Sequence, residues 1–113
     1  MRSLIVIAHD IRSTHNVGSL LRTCEGLGVD RVFLTGYTPY PKTTDDERLP
    51  HIADKLTQQI HKTALGAEGK QPWQHIDDLQ ELIKSLKNDS YTIAALEQTE
   101  TSIPLPEYKP ADK

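Results

Sequence analysis

The apolar residues of this chain fall in blocks whose spacing changes from one block to the next. Leu4-Ile5-Val6-Ile7-Ala8 is an unbroken apolar run, the pattern of a strand buried on both faces in a parallel sheet, and it predicts a strand over Ser3–Ala8. Val17, Leu20, Leu21, Cys24 and Leu27 recur at helical spacing. They predict a helix over Val17–Leu27, with Asn16 as N-cap and Gly28 as a left-handed stop. Val32-Phe33-Leu34 centre a second strand, Arg31–Thr35. Ile52, Leu56, Ile60 and Ala64 repeat every fourth residue and place a second helix from about Pro50, a residue suited to a first helical turn; Gly66 and Gly69 bracket its end. Ile76, Leu79, Leu82, Ile83 and Leu86 mark a third helix, Ile76–Lys87. Its first-turn Asp77 and Asp78 and last-turn Lys84 and Lys87 suit the helix dipole. A third strand is expected over Tyr91–Leu96. Gly36–Leu49, with Pro39, Pro41 and the charged Asp45-Asp46-Glu47-Arg48, reads as a long exposed loop of the kind that is often functional or mobile.

The resulting order, β-α-β-α-α-β, predicts an α/β fold with a parallel sheet and flanking helices. The expectation is one domain over residues 1–113, with an ordered core to about residue 97 and a proline-rich tail, 98–113, containing Pro104, Pro106 and Pro110. Three parallel strands make a small sheet with unprotected edges. Part of a larger domain is the expected reading; a complete small α/β domain with a loose tail is the alternative.

Composition narrows the picture without changing it. A length of 113 residues with 36% hydrophobic and 26% charged residues is ordinary for a globular domain. One cysteine, Cys24, allows no internal disulfide, and the five histidines show no metal-ligand spacing. No run has the length of a membrane span and the N-terminus lacks a signal-peptide pattern. A cytoplasmic protein without membrane contact is therefore expected. A formal net charge of −3 gives no basic signature over the whole chain, so a nucleic-acid partner needs a local patch, another domain or another subunit.

The candidate chemistry lies where the first strand passes into the first helix, because open α/β sheets bind ligands at the carboxyl ends of their strands. Asn16, Gly18 and Arg22 stand there. Asn16-Val17-Gly18-Ser19-Leu20-Leu21-Arg22-Thr23, followed by Gly28-Val29 and Val32-Phe33-Leu34, resembles the first motif of the SpoU-type RNA 2′-O-ribose methyltransferases of the SPOUT superfamily. The Asn-x-Gly-x-x-x-Arg pattern inside a strand–helix–strand unit carries the resemblance. Lys62-Thr63-Ala64-Leu65-Gly66-Ala67 and Thr92–Leu96 sit where that family has corresponding elements. The resemblance covers most of the chain and is strongest over residues 3–36. A glycine-rich turn with a glutamate and a Ser-Leu-Asn segment, which in that family form the trefoil knot holding S-adenosylmethionine, are absent from this sequence. The resemblance thus implies the N-terminal part of such a domain, without its C-terminal knot.

It implies that Arg22 and Asn16 are catalytic. The Arg22 guanidinium would bind a phosphate bidentately or help the ribose 2′-hydroxyl lose its proton. The second role demands a partner and burial, and the alternative is an ordinary exposed helix charge. Asn16 would orient the site or the substrate, or simply cap the helix. Gly18, Arg12 and His15 are expected against RNA: Gly18 by allowing close approach, the other two through phosphate. Leu96, Glu97 and Gln98, ending the expected third strand, would line the cofactor pocket. Cys24 is expected in the core, and Trp73 as a packed loop anchor. The implied cofactor of the full-length enzyme is S-adenosylmethionine, with none held by this chain alone. The implied partners are tRNA or rRNA and, at full length, a second copy in a homodimer. The isolated chain is expected to be inactive. A non-enzymatic α/β module binding RNA or a nucleotide is the runner-up. Another kind of nucleotide enzyme is disfavoured, since neither Gly-x-Gly-x-x-Gly nor a P-loop lysine is present.

Overall fold

A computed structural model describes residues 3–93. β1 (Ile5–His9), β2 (Arg31–Thr35) and β3 (Trp73–Ile76) form one sheet in the order β1-β2-β3, all parallel. Ile5 is paired with Arg31 and Ala8 with Leu34; Val32 is paired with Trp73 and Thr35 with Ile76. α1 (Thr14–Leu27) and α2 (Pro50–Ala64) connect the strands, a short 3₁₀ turn (Ala67–Gly69) follows α2, and α3 (Leu79–Asn88) comes after β3. The fold is the expected α/β class, with the order β-α-β-α-β-α.

Three elements differ from the sequence reading, each for a local reason. β3 occupies Trp73–Ile76, where no strand was expected. It alternates faces in only four residues, with Trp73 toward one helix layer and Ile76 toward the other. Trp73 is therefore a strand residue, its indole N–H donating to the Glu68 carbonyl at 2.9 Å. α3 begins at Leu79 because the Asp78 carboxylate accepts the Glu81 N–H and caps it; Ile76 belongs to the strand before it. Tyr91–Ile93 lie outside any strand, and the rest of the expected strand, residues 94–96, falls outside the described residues.

The pleat divides the core in two. Toward α1 and α2, the buried residues Val17, Leu21, Cys24, Val32, Leu34, Ile60 and Ala64 pack together. Toward α3, Phe33 meets Leu82 and Leu86, with Ile5, Ile7 and Ile76 half-buried around them. Cys24 lies in the core as expected, and burial raises its thiol pKa. Leu27, at the end of the apolar stripe of α1, is instead exposed, and Ile52 is largely so. Gln71 is a buried polar side chain whose amide donates to the carbonyls of Val29 and Pro72, joining the strand entries.

Candidate active site

The carboxyl ends of β1 and β2 are held together by side chains. Thr38, fully buried, donates its hydroxyl to the Ala8 carbonyl at 3.0 Å and accepts the Ile11 N–H at 3.1 Å. Thr35 Oγ1 lies 3.4 Å from the same carbonyl and 3.0 Å from His9 Nδ1. Asp10 adopts a left-handed backbone with φ of 54°. Its carboxylate accepts the Tyr37 N–H at 2.8 Å and lies 3.2 Å from His9 Nε2. Gly36 stands against that carboxylate with φ of 63°, and a Cβ there would overlap Asp10 Oδ1. Asp is among the residues that tolerate this backbone region because its side chain bonds locally. Two loops are thereby fixed relative to each other at the strand ends.

From this clamp the chain enters α1. The N-cap is Ser13, whose hydroxyl accepts the Asn16 N–H at 3.1 Å. Asn16 is thus not the cap: it stands in the first turn, exposed, leaving its amide without a bond among the described residues. The capping alternative for Asn16 falls, because Ser13 sits three residues earlier at the point where the backbone turns helical. Gly28 ends the helix in the left-handed conformation, as expected.

Gly18 is buried against α2. A Cβ at this position would overlap Thr63 Oγ1 and the Ile60 carbonyl, so α1 and α2 cross at backbone contact there. The expectation of an RNA-facing glycine is corrected: the close approach it permits is to α2. Thr63 secures the crossing by donating to the His15 carbonyl at 2.8 Å.

Arg22 lies on the exposed side of α1, about 9 Å along the axis from Asn16. It makes no hydrogen bond or ion pair among the described residues, and lines an open depression of about 450 Å³ with Ser19, Thr23 and Thr63. An exposed guanidinium without a partner is a permanent cation. The burial and the partner that proton abstraction would require are not supplied among the described residues. Arg12 is also exposed and unpaired, but lines a different cleft; His15 and Asn16 are exposed beside the helix start. Arg12, His15 and Asn16 stand at the start of α1, whereas Arg22 lies in its second half beside Gly26 and Leu27, so the expected site residues do not share one pocket.

The second cleft, about 470 Å³ and open to solvent, lies over the strand ends, where Arg12, Thr14, Tyr37 and Asp77 meet. Its wall is a stack that was not foreseen. The Arg48 guanidinium lies 3.7 Å over the ring of Tyr40, which also stacks with His75 at 3.9 Å and 18°. Arg48 also donates to the carbonyls of Tyr40 and Pro41 and to both oxygens of Asp46. That fork holds the Asp46 carboxyl well below the usual range and raises the guanidinium in turn. The segment expected as a long exposed loop is tied down by this arginine and by Lys42, whose N–H donates to the Thr57 hydroxyl at 2.7 Å. The only sequence signal for Arg48 was an aspartate two residues before it.

Leu96, Glu97 and Gln98, expected at a cofactor pocket, lie outside the described residues. Among the described residues no cluster of three or more His, Cys, Asp or Glu is placed to hold a metal ion. No helix there is long and apolar enough to cross a membrane.

Comparison with known proteins bears on this arrangement. Residues 3–113 match the model of the SpoU rRNA Methylase family. Over 95 residues the chain is 33% identical to a protein of Staphylococcus haemolyticus assigned to the TrmH family of tRNA/rRNA methyltransferases, covering 84% of this chain and 32% of that protein. Proteins of Staphylococcus epidermidis and Staphylococcus aureus with the same assignment are 32% and 30% identical, again over 84% of this chain and 32% and 33% of their own lengths. The chain thus spans about a third of the curated relatives it matches. The matched region includes the strand–helix–strand unit that carries Asn16 and Arg22, and on that match the chain belongs to the SpoU rRNA Methylase family.

Proposed function

We propose that the protein acts in S-adenosylmethionine-dependent methylation of a ribose 2′-hydroxyl in tRNA or rRNA, with this chain supplying the RNA-facing wall of the site. The observation that carries the reading is the unpaired Arg22 guanidinium on α1, in the helix that leaves the carboxyl end of β1. Its position in the Asn-x-Gly-x-x-x-Arg pattern supports the same role. Arg22 binds a phosphate or the ribose hydroxyl of the target through charge-assisted hydrogen bonds. Asn16, whose side-chain amide has no bond among the described residues, orients RNA nearer the helix start. Holding the nucleotide in line with a methyl donor is the main contribution such a wall makes, since proximity and alignment account for much of a transfer reaction's acceleration.

The donor implied by the family is S-adenosylmethionine. Small-molecule sites bury most of their ligand, and the two open clefts of the described residues do not. No described residue is therefore assigned to the cofactor; Leu96, Glu97 and Gln98, expected at its pocket, lie outside the described residues. This reading includes an isolated chain that is inactive, and a homodimeric full-length enzyme in which a second copy adds RNA-binding surface to a chain of net charge −3.

The test is methyl transfer from radiolabelled S-adenosylmethionine to RNA by the full-length protein. Arg22→Ala lowers turnover by at least about a hundredfold, the scale of losing one charged group at a transition state, while the melting temperature stays within a degree or two because the side chain is exposed and unpaired. Turnover near wild type in a folded Arg22→Ala protein would falsify the assignment.

A further inference from the structure

Tyr37 is 80% exposed and stands at the rim of the strand-end cleft, with no ring contact or side-chain hydrogen bond among the described residues. An exposed tyrosine on a mobile loop would mean little. This one is mounted on the most firmly held segment of the strand ends. Its own N–H is taken by Asp10, Gly36 before it fits only because it lacks a Cβ, and Thr38 after it is bonded to the Ala8 carbonyl and the Ile11 N–H. The backbone under the ring is thus ordered before any ligand arrives. The same cleft is lined by Arg12, whose guanidinium has no hydrogen bond or ion pair among the described residues. Asp77 is the cleft's exposed carboxylate, and its Oδ1 lies 3.2 Å from His75 Nε2.

We infer that this cleft is a stacking subsite for one unpaired RNA base flanking the target nucleotide, with the base on the Tyr37 ring and the adjoining phosphate on Arg12. The inference rests on the RNA reading above and deepens it. Single-stranded RNA is recognised by aromatic rings that stack splayed bases and by cations that follow the backbone. Because the backbone under it is already fixed, only the two side-chain torsions of Tyr37 have to be ordered when a base stacks on its ring. The subsite lies apart from the Arg22 depression: Arg12 and Tyr37 line one cleft, Arg22 the other. It therefore takes a neighbour of the methylated nucleotide and selects for an unpaired base there.

The experiment is fluorescence anisotropy of the 113-residue chain with a labelled oligouridylate of about eight nucleotides, a length within the range one such domain covers, at low salt. Tyr37→Ala weakens binding about tenfold, Tyr37→Phe keeps it within about twofold, and Arg12→Ala weakens binding and lowers its salt dependence by about one ion. Melting temperatures of all three variants stay near wild type. Unchanged affinity in Tyr37→Ala overturns the subsite, as does a loss in Tyr37→Phe equal to that in Tyr37→Ala, which would make the hydroxyl the binding group. Absence of binding by the wild-type chain also overturns it. The Arg22→Ala turnover assay on the full-length protein decides the underlying RNA reading separately.

Discussion

On one face of the sheet, two helices enclose a cluster of nine buried residues; on the other, the single helix α3 encloses three. The first face carries Leu21, Val32, Leu34 and Ile60 with no measurable exposure, whereas the second leaves Ile5, Ile7 and Ile76 half-buried. Arg22, Asn16, Arg12 and Arg48 all extend from α1, from the loop before it or from the loop before α2. Each is thus anchored on the thicker layer. Side chains that must hold a ligand in register need supports whose own packing is complete, and the division of the core supplies that on one side only.

The sharpest way to break this comparison is to remove the same volume from each face. Leu21→Ala is expected to cost about 4 kcal/mol, near the upper range for a buried leucine whose surroundings cannot collapse. Leu82→Ala should cost about 2 kcal/mol, since its half-buried neighbours can move in. Urea unfolding of the two variants measures the difference, and equal costs would mean that the faces are equally packed. Next in size is Gly18→Ala. The added methyl meets the backbone of α2 at Ile60 as well as the Thr63 hydroxyl, so the helices must separate. The expected loss is about 2 kcal/mol, the usual scale of overpacking, although alanine is the better helix former. A neutral or stabilising Gly18→Ala would show that the crossing is looser than its geometry.

The smallest effect concerns the loop that rims the thicker face. The Asp46 carboxyl is held below its unfolded range, chiefly by its hydrogen bond to Arg48 and against the cost of burial. A group depressed in the folded state stabilises above its unfolded pKa and loses that contribution as pH falls toward the folded value. Stability should therefore decline as pH drops below about 4, where unfolded carboxylates begin to titrate. In Asp46→Asn that part of the decline is absent. Melting curves between pH 6 and about 3 test this; parallel curves for wild type and variant would remove Asp46 from the acid response.

Elements defined by long periodic stretches could be read from the residues: β1 and β2 from apolar runs, α1 and α2 from spacing, the stop at Gly28 from its chemistry. β3 could not. Trp73–Ile76 is four residues long and includes Gln74 and His75, too short and too polar for alternation to stand out. Ile76 also fell in phase with the apolar positions of α3 and was absorbed into that helix. The place of Arg22 on α1 was legible from its motif; its exposure and its lack of a partner among the described residues were not, since both depend on what the rest of the chain brings near. Thr35, Thr38 and Asp46 were invisible for the same reason. A single threonine or aspartate says nothing about a carbonyl or a guanidinium until the fold has placed it alongside.

The contact at Gly18 has a consequence for how this protein can be altered by recombination. Where two helices touch through their backbones, neither can be exchanged without the other. The residue at 18 sets how closely the backbone at Ile60 and Ala64 can approach and which side chain fits at 63, and Thr63 in turn is bonded to the His15 carbonyl beside the motif. A chimera that takes α1 from a relative must take α2 with it. The inherited unit is longer than the recognisable motif: it runs from Ser13 to Ala64.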